Sequence, residues 1–151
     1  GHLQSKKAKI AVKYFEYIHT VDTIKLAKEI DKQARKINKL QKILVQVNIG
    51  EEETKSGTDS ENAIELVQQI SVLGNLSLQG LMCMPPYFSD PEQARVYFKQ
   101  LVRIKEKIIA HQADNVSMDH LSMGMSNDFK VAIEEGSTMV RVGTSIFGER
   151  N

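Results

Sequence analysis

From Asp22 onward the sequence switches repeatedly between two hydrophobic periods, and this alternation limits the possible folds more than any other feature of the chain. Ile24, Ala27, Ile30, Ala34 and Ile37 recur at steps of three and four, which gathers them on one helical face with lysines opposite. Asp22 or Thr23 stands where an N-cap belongs, since a short side-chain oxygen there can accept a free backbone N–H. "KILVQVNIG" (42–50) is then a β-branched run of the kind that is buried on both faces, with a strand expected at 43–49. A polar loop leads to a second helix with Ala63, Ile64, Val67 and Ile70, and "LSLQGLMCM" (76–84) is a strand stopped by Pro85 and Pro86. The clearest helix covers 89–111, where Ser89 and Glu92 have capping-box spacing, Pro91 suits the first turn, and Tyr97, Phe98, Leu101, Ile104 and Ile108 form a stripe. The cycle repeats in a strand at 120–123, a helix over 127–135 closed by Gly136, and a strand at 138–142.

With "GHLQ" (1–4) and "YIHTV" (17–21) as further strands, and a weaker helical pattern between them, six strands are expected. Units of this kind imply parallel strands with helices packed outside them. No GxGxxG or Walker motif follows any strand, which counts against the common nucleotide-binding open sheets. The fold expected is therefore a (β/α)8 barrel of the TIM type with about six of its eight units, spanning 1–151 as one domain. At 151 residues and 41% hydrophobic, the chain can bury one core and not two. Twenty basic against nineteen acidic residues leave a charge of +1 with no like-charged block, so neither nucleic acid nor an anionic membrane is an expected partner. One cysteine, Cys83, excludes an internal disulfide and a cysteine-based zinc site. Without a membrane span or a signal-peptide core, a cytoplasmic setting is expected. The chain opens on Gly1 rather than a methionine, as a piece of a longer barrel would.

In such a barrel, ligand groups come from the loops at the C-terminal ends of the strands, and the last two often build a phosphate site. Those loops here are "SMGMS" (122–126) and "RVGTS" (141–145). Gly124 and Gly143 permit close backbone approach, and Ser126 and Thr144 offer hydroxyls at the start of new helical turns. Ser126 alone could equally be an N-cap. Arg141, between Val140 and Val142, is expected to point into the barrel, where a guanidinium must meet a carboxylate such as Asp119, another acceptor, or a ligand. His19 and His120 have no metal-ligand spacing and are expected to be structural.

"GHLQS" followed by lysines, "IHTVDTIKLA" (18–27), "VQVNIGEEETKSG" (45–57), "QGLMCMPP" (79–86) and "LSMGMSNDFKVAIEEGSTMVRVGTSIFG" (121–148) resemble successive blocks of the pyridoxal-phosphate homeostasis protein family. These are single-domain relatives of the N-terminal barrel of alanine racemase. The resemblance implies a (β/α)8 barrel that holds pyridoxal 5′-phosphate and stores or delivers it, with no established catalytic activity. It implies that Ser126, Gly143 and Thr144 hold the phosphate and that Arg141 faces the pyridine nitrogen. Met82 and Met84 would pack near the ring, unless they are plain core filler. His2 and Gln4 would lie near the site.

Two departures stand out. Lys6 takes a position where the family often has asparagine. The lysine that forms a Schiff base with the cofactor would belong to a unit preceding "GHLQ", and Lys55, the one lysine in a well-defined loop at the right end, is a poor substitute. An amino-acid racemase is the competing expectation; it needs a base on each face of the substrate carbon, and Tyr14, Tyr17, Tyr87 and Tyr97 are better explained as core, turn or helix residues. An unclosed barrel would also be open to self-association through its sheet edges.

Overall fold

A computed structural model describes residues 2–50, 56–110 and 116–148. After an extended lead, a 3-10 turn at Ser5–Lys7 enters helix α1 (Ala8–Tyr14), followed by strand β1 (Tyr17–Val21) and helix α2 (Ile24–Lys36). Then come β2 (Gln41–Val47), α3 (Ala63–Ser71), β3 (Leu76–Cys83), α4 (Arg95–Ala110), β4 (Val116–Met125), α5 (Phe129–Glu134), β5 (Met139–Arg141) and the short α6 (Thr144–Phe147). None of these helices is long and apolar enough to cross a membrane.

The five strands form one parallel sheet in the order β1-β2-β3-β4-β5, the sequential order of a barrel wall. Every strand pair contains a register irregularity, the device that bends a sheet toward closure. At Gly80 (φ +155°) a Cβ would stand 1.9 Å from the carbonyl oxygen of His120, so only glycine lets β3 lie this close to β4. Gly124 (φ +95°) does the same for α5, since a Cβ there would come within 2.6 Å of Ala132 Cβ.

Among the described residues there are five strands where the sequence suggested six. His2–Gln4 pair with no strand: Gln4 is extended (φ −69°, ψ 136°), but its carbonyl accepts the Lys7 N–H at 2.8 Å and so opens a helical turn. The long helix is also capped differently from expectation. Asp90, not Ser89, accepts the Glu92 N–H at 3.0 Å, and a 3-10 turn, Pro91–Ala94, precedes α4. Thr23 is the cap of α2, accepting the Leu26 N–H at 3.3 Å. Lys55 and His111 lie outside the described residues.

The two faces of the sheet have different chemistry. The helix-covered face supplies Ile18, Ile43, Val45, Leu78, Leu81 and Leu121 to a core shared with Ile30, Val67, Phe98 and Leu101 of the helices. Residues alternating with these fall on the opposite, concave face. There Leu44 and Met82 are buried, and the polar residues Tyr17, His19, Gln46, Gln79, His120 and Ser122 accompany them.

Candidate functional site

Strand register sets one row of the concave face, because Gln46 lies beside Met82 and Met82 beside Ser122. Arg141, on the neighbouring β5, reaches back over this row. Its Nη1 donates to the Ser122 carbonyl at 2.8 Å and to Ser122 Oγ at 2.7 Å, and its Nη2 donates to the Cys83 carbonyl at 2.8 Å. From the other side, His19 Nδ1 lies 3.0 Å from the same Ser122 Oγ. One row nearer the N-terminal ends of the strands, the Tyr17 hydroxyl donates to Gln79 Oε1 at 2.8 Å and lies 3.3 Å from His120 Nε2. The concave face is thus tied together by directional bonds, and among the described residues the cationic end of Arg141 is anchored by two carbonyls and a hydroxyl rather than by a counter-ion.

Next to this arrangement is a cavity of about 400 Å³ lined by His2, Tyr17, His19, Met82, Met84 and Arg141, among others. That volume suits a small organic molecule. Burial, with the nearby charges of Arg141 and His120, holds the His19 imidazole below its ordinary value, so its ring is neutral near pH 7. Burial also pulls the Arg141 guanidinium down, against the opposing influence of Cys83 and Asp128, yet a guanidinium stays cationic in any accessible range. The Cys83 thiol, itself buried, is pushed up to about 12 and is unreactive.

Two residues beyond Arg141, Gly143 opens α6. Ser126 Oγ accepts the backbone N–H groups of Gly143 at 3.2 Å and Ser145 at 3.3 Å, bringing the β4 and β5 loops together. The turn that presents Ser126 is fixed by Asp128, whose Oδ1 accepts the Met125 N–H at 2.6 Å, and by Asn127, whose amide donates to the Phe88 carbonyl at 2.8 Å. A Cβ added to Gly143 would meet nothing within 4 Å, so the loop leaves open space where backbone donors converge.

Met82, Arg141 and His2 line one cavity, whereas Ser126, Gly143 and Thr144 are not among its lining residues; Ser126 meets the Gly143 N–H where β4 and β5 end, and Thr144 begins α6. Gln4 does not line the cavity. Two expectations change. Asp119 is not the partner of Arg141, because its exposed carboxylate is engaged by the Ser117 hydroxyl. Ser126 is not the N-cap of α5; that position is Asp128, and Ser126 spends its oxygen on β5–α6 donors. His19, expected to be structural, lines the cavity and shares Ser122 with Arg141. Ser122 and Ser145 also carry contacts that the sequence did not single out. Strand alternation held a signal for His19: it is two residues from Tyr17 and therefore on the same face of β1.

Comparison with known proteins agrees with this architecture. The family model "Alanine racemase, N-terminal domain" matches residues 1–151. The pyridoxal phosphate homeostasis protein of Aquifex aeolicus is 47% identical over 150 residues, covering 99% of this chain and 65% of that protein, so the chain spans less than two thirds of its length. The protein of the same name from Synechocystis is 38% identical over 150 residues, 99% of this chain and 68% of its own. Among solved structures, PipY of Synechococcus elongatus with PLP bound superposes with a TM-score of 0.87 at 33% identity, covering 98% of this chain and 68% of that one. The chain belongs to the alanine racemase N-terminal domain family and, within it, to the pyridoxal phosphate homeostasis proteins.

Proposed function

We propose that this chain forms the larger part of a protein that binds pyridoxal 5′-phosphate and helps maintain its supply in the cytoplasm without itself catalysing a reaction. The observation that carries this is the position of Arg141. It is a cation at the wall of a cavity of about 400 Å³, held among the described residues by carbonyl and hydroxyl oxygens and by no carboxylate, and two residues before Gly143, where N–H groups converge on Ser126. A relative of 33% identity with PLP bound supports the same assignment.

The residues present fit the group. Gly143 leaves space at its Cβ position, and the Gly143 and Ser145 N–H groups, now turned to Ser126 Oγ, are donors suited to a phosphate oxygen. Ser126 and the Thr144 hydroxyl would complete the phosphate cradle, Arg141 would donate to the ring nitrogen, and Met82 and Met84 would give the ring an apolar wall. When bound, the cofactor supplies an aldehyde and an electron-withdrawing ring. Because a guanidinium has only donors, Arg141 would hold the ring nitrogen without a proton and so weaken that withdrawal. No lysine is among the residues lining the cavity in the described part of the chain. We also propose that the two sheet edges, with Phe15 beside β1 and Phe147 beyond β5 exposed, are sites through which this 151-residue chain self-associates.

The test is a titration of the intact protein with pyridoxal 5′-phosphate, followed by absorbance. Arg141→Gln and Ser126→Ala are each expected to weaken binding by about 10-fold or more, the usual effect of losing a hydrogen bond to a charged group. Unchanged affinity in both variants would remove the assignment. Interconversion of L- and D-alanine by the loaded protein would replace it with a racemase.

A further inference from the structure

Ser122 is completely buried, and its hydroxyl has two partners, Arg141 Nη1 at 2.7 Å and His19 Nδ1 at 3.0 Å. A guanidinium carries donors only, so Arg141 takes a lone pair of Ser122 Oγ and cannot receive the serine's hydrogen. A buried hydroxyl hydrogen left without an acceptor is unfavourable, and the remaining partner is His19 Nδ1. That nitrogen can accept only if it is bare, which places the ring proton on Nε2.

We propose that the chain Arg141–Ser122–His19 locks His19 as the neutral Nε2–H tautomer, so that the cavity presents hydrogen-bond donors from both residues and selects a ring in its deprotonated form. Taking the cavity as a pyridoxal-phosphate site, as proposed above, the form selected has an unprotonated ring nitrogen and an ionised ring oxygen. A pyridinium would set its N–H against the donors of Arg141, and a neutral phenol would find no acceptor on His19.

The surroundings of His19 support the neutral state. Arg141 and His120 face it from β5 and β4, Tyr17 lies edge-on at 6.1 Å on its own strand, and His2 lines the same cavity. No carboxylate is among the cavity-lining residues of the described chain to stabilise an imidazolium. Ser122 is thus a positioning residue: it lies under the cavity wall and acts through the two groups it orients.

The deciding measurement needs no ligand. Long-range 15N–1H correlation spectra of the intact protein at pH 7 should show His19, identified by the signal lost in His19→Gln, as a single Nε2–H tautomer. Ser122→Ala should give a mixture of tautomers, and Ser122→Thr, which keeps the hydroxyl, should restore one. An Nδ1–H ring or an imidazolium in the unsubstituted protein overturns the proposal, even if Ser122→Ala does not fold. In titrations, 3-deoxypyridoxal 5′-phosphate, which lacks the ring oxygen, should bind about 10-fold more weakly than pyridoxal 5′-phosphate, and His19→Gln should abolish that difference. Equal binding of the two compounds to the unsubstituted protein overturns the ligand selection. Failure of pyridoxal 5′-phosphate itself to bind defeats the cofactor assignment, while the spectra still decide the tautomer.

Discussion

On the helix-covered face of the sheet, Ile18, Ile43, Val45, Leu81 and Leu121 are buried against hydrocarbon, whereas on the concave face Tyr17, Gln79, His120, His19 and Ser122 are joined by hydrogen bonds. Apolar packing is non-directional and tolerates small displacements; a hydrogen bond fixes where donors and acceptors point. The first face contributes most of the stability, and the second holds Arg141 and His19 in place at some cost in desolvation. Each face keeps a buried amide oxygen without a hydrogen-bond partner, Gln46 Oε1 on the concave side and Gln41 Oε1 on the helix-covered side.

The largest expected effect separates these roles. Phe98 is fully buried at the centre of the convex core, so Phe98→Ala should cost about 3–5 kcal/mol in urea unfolding. Protein that remains folded should bind cofactor with nearly unchanged affinity. A comparable loss from Gln79→Ala, which removes the concave hydrogen bonds to Tyr17 and Ser77 and is expected to cost about 2 kcal/mol, would contradict the division.

A somewhat smaller effect is expected where the two faces meet. Gly80→Ala would press a Cβ to 1.9 Å from the His120 carbonyl, in a conformation that L side chains rarely adopt. Strands β3 and β4 would have to separate, at about 1–3 kcal/mol of strain. Because His120 and Ser122 ride on β4, this substitution should also reduce cofactor affinity, which Phe98→Ala should not. A Gly80→Ala variant that loses stability but keeps full affinity would show the concave row to be indifferent to strand spacing.

Much of this was legible in the sequence, for identifiable reasons. Hydrophobic period located the strands: 17–21 is matched outright, and 43–49, 76–84 and 138–142 correspond to Gln41–Val47, Leu76–Cys83 and Met139–Arg141. The strand expected at 120–123 runs instead from Val116 to Met125, because its first half carries polar Ser117 and Asp119 and lacks a β-branched run. Arg141 announced itself as a charge inside an apolar strand. Its partners did not, since they are carbonyls and a hydroxyl from residues 19 and 58 positions away, and backbone acceptors leave no trace in residue type. His19 was missed for a related reason: spacing tests for metal or catalytic pairs look along the chain, while its partner Ser122 is 103 residues distant.

The smallest effects are those of pH, and they too divide by location. Asp31 of α2 is buried, which raises its carboxyl, but the backbone and side-chain N–H groups of Asn75 and the Arg35 guanidinium outweigh that and hold it below the ordinary 3.8. With its folded pKa depressed, Asp31 contributes stability that is complete above the unfolded value and is lost as pH falls through the folded one. His19 is depressed from 6.5, chiefly by burial, so the unfolded chain takes up its proton first and stability declines as pH falls below that value. Urea midpoints measured from pH 7 downward should therefore fall in two windows, a shallow one below about 6.5 and a second below about 4. His19→Gln should flatten the first and leave the second, and Asp31→Asn should do the reverse. Loss of cofactor affinity should accompany only the first window, since an imidazolium at His19 would crowd Arg141 while Asp31 touches nothing in the cavity. If affinity instead follows the lower window, the site takes its pH response from the carboxylates of the helical layer and the functional separation of the two faces fails.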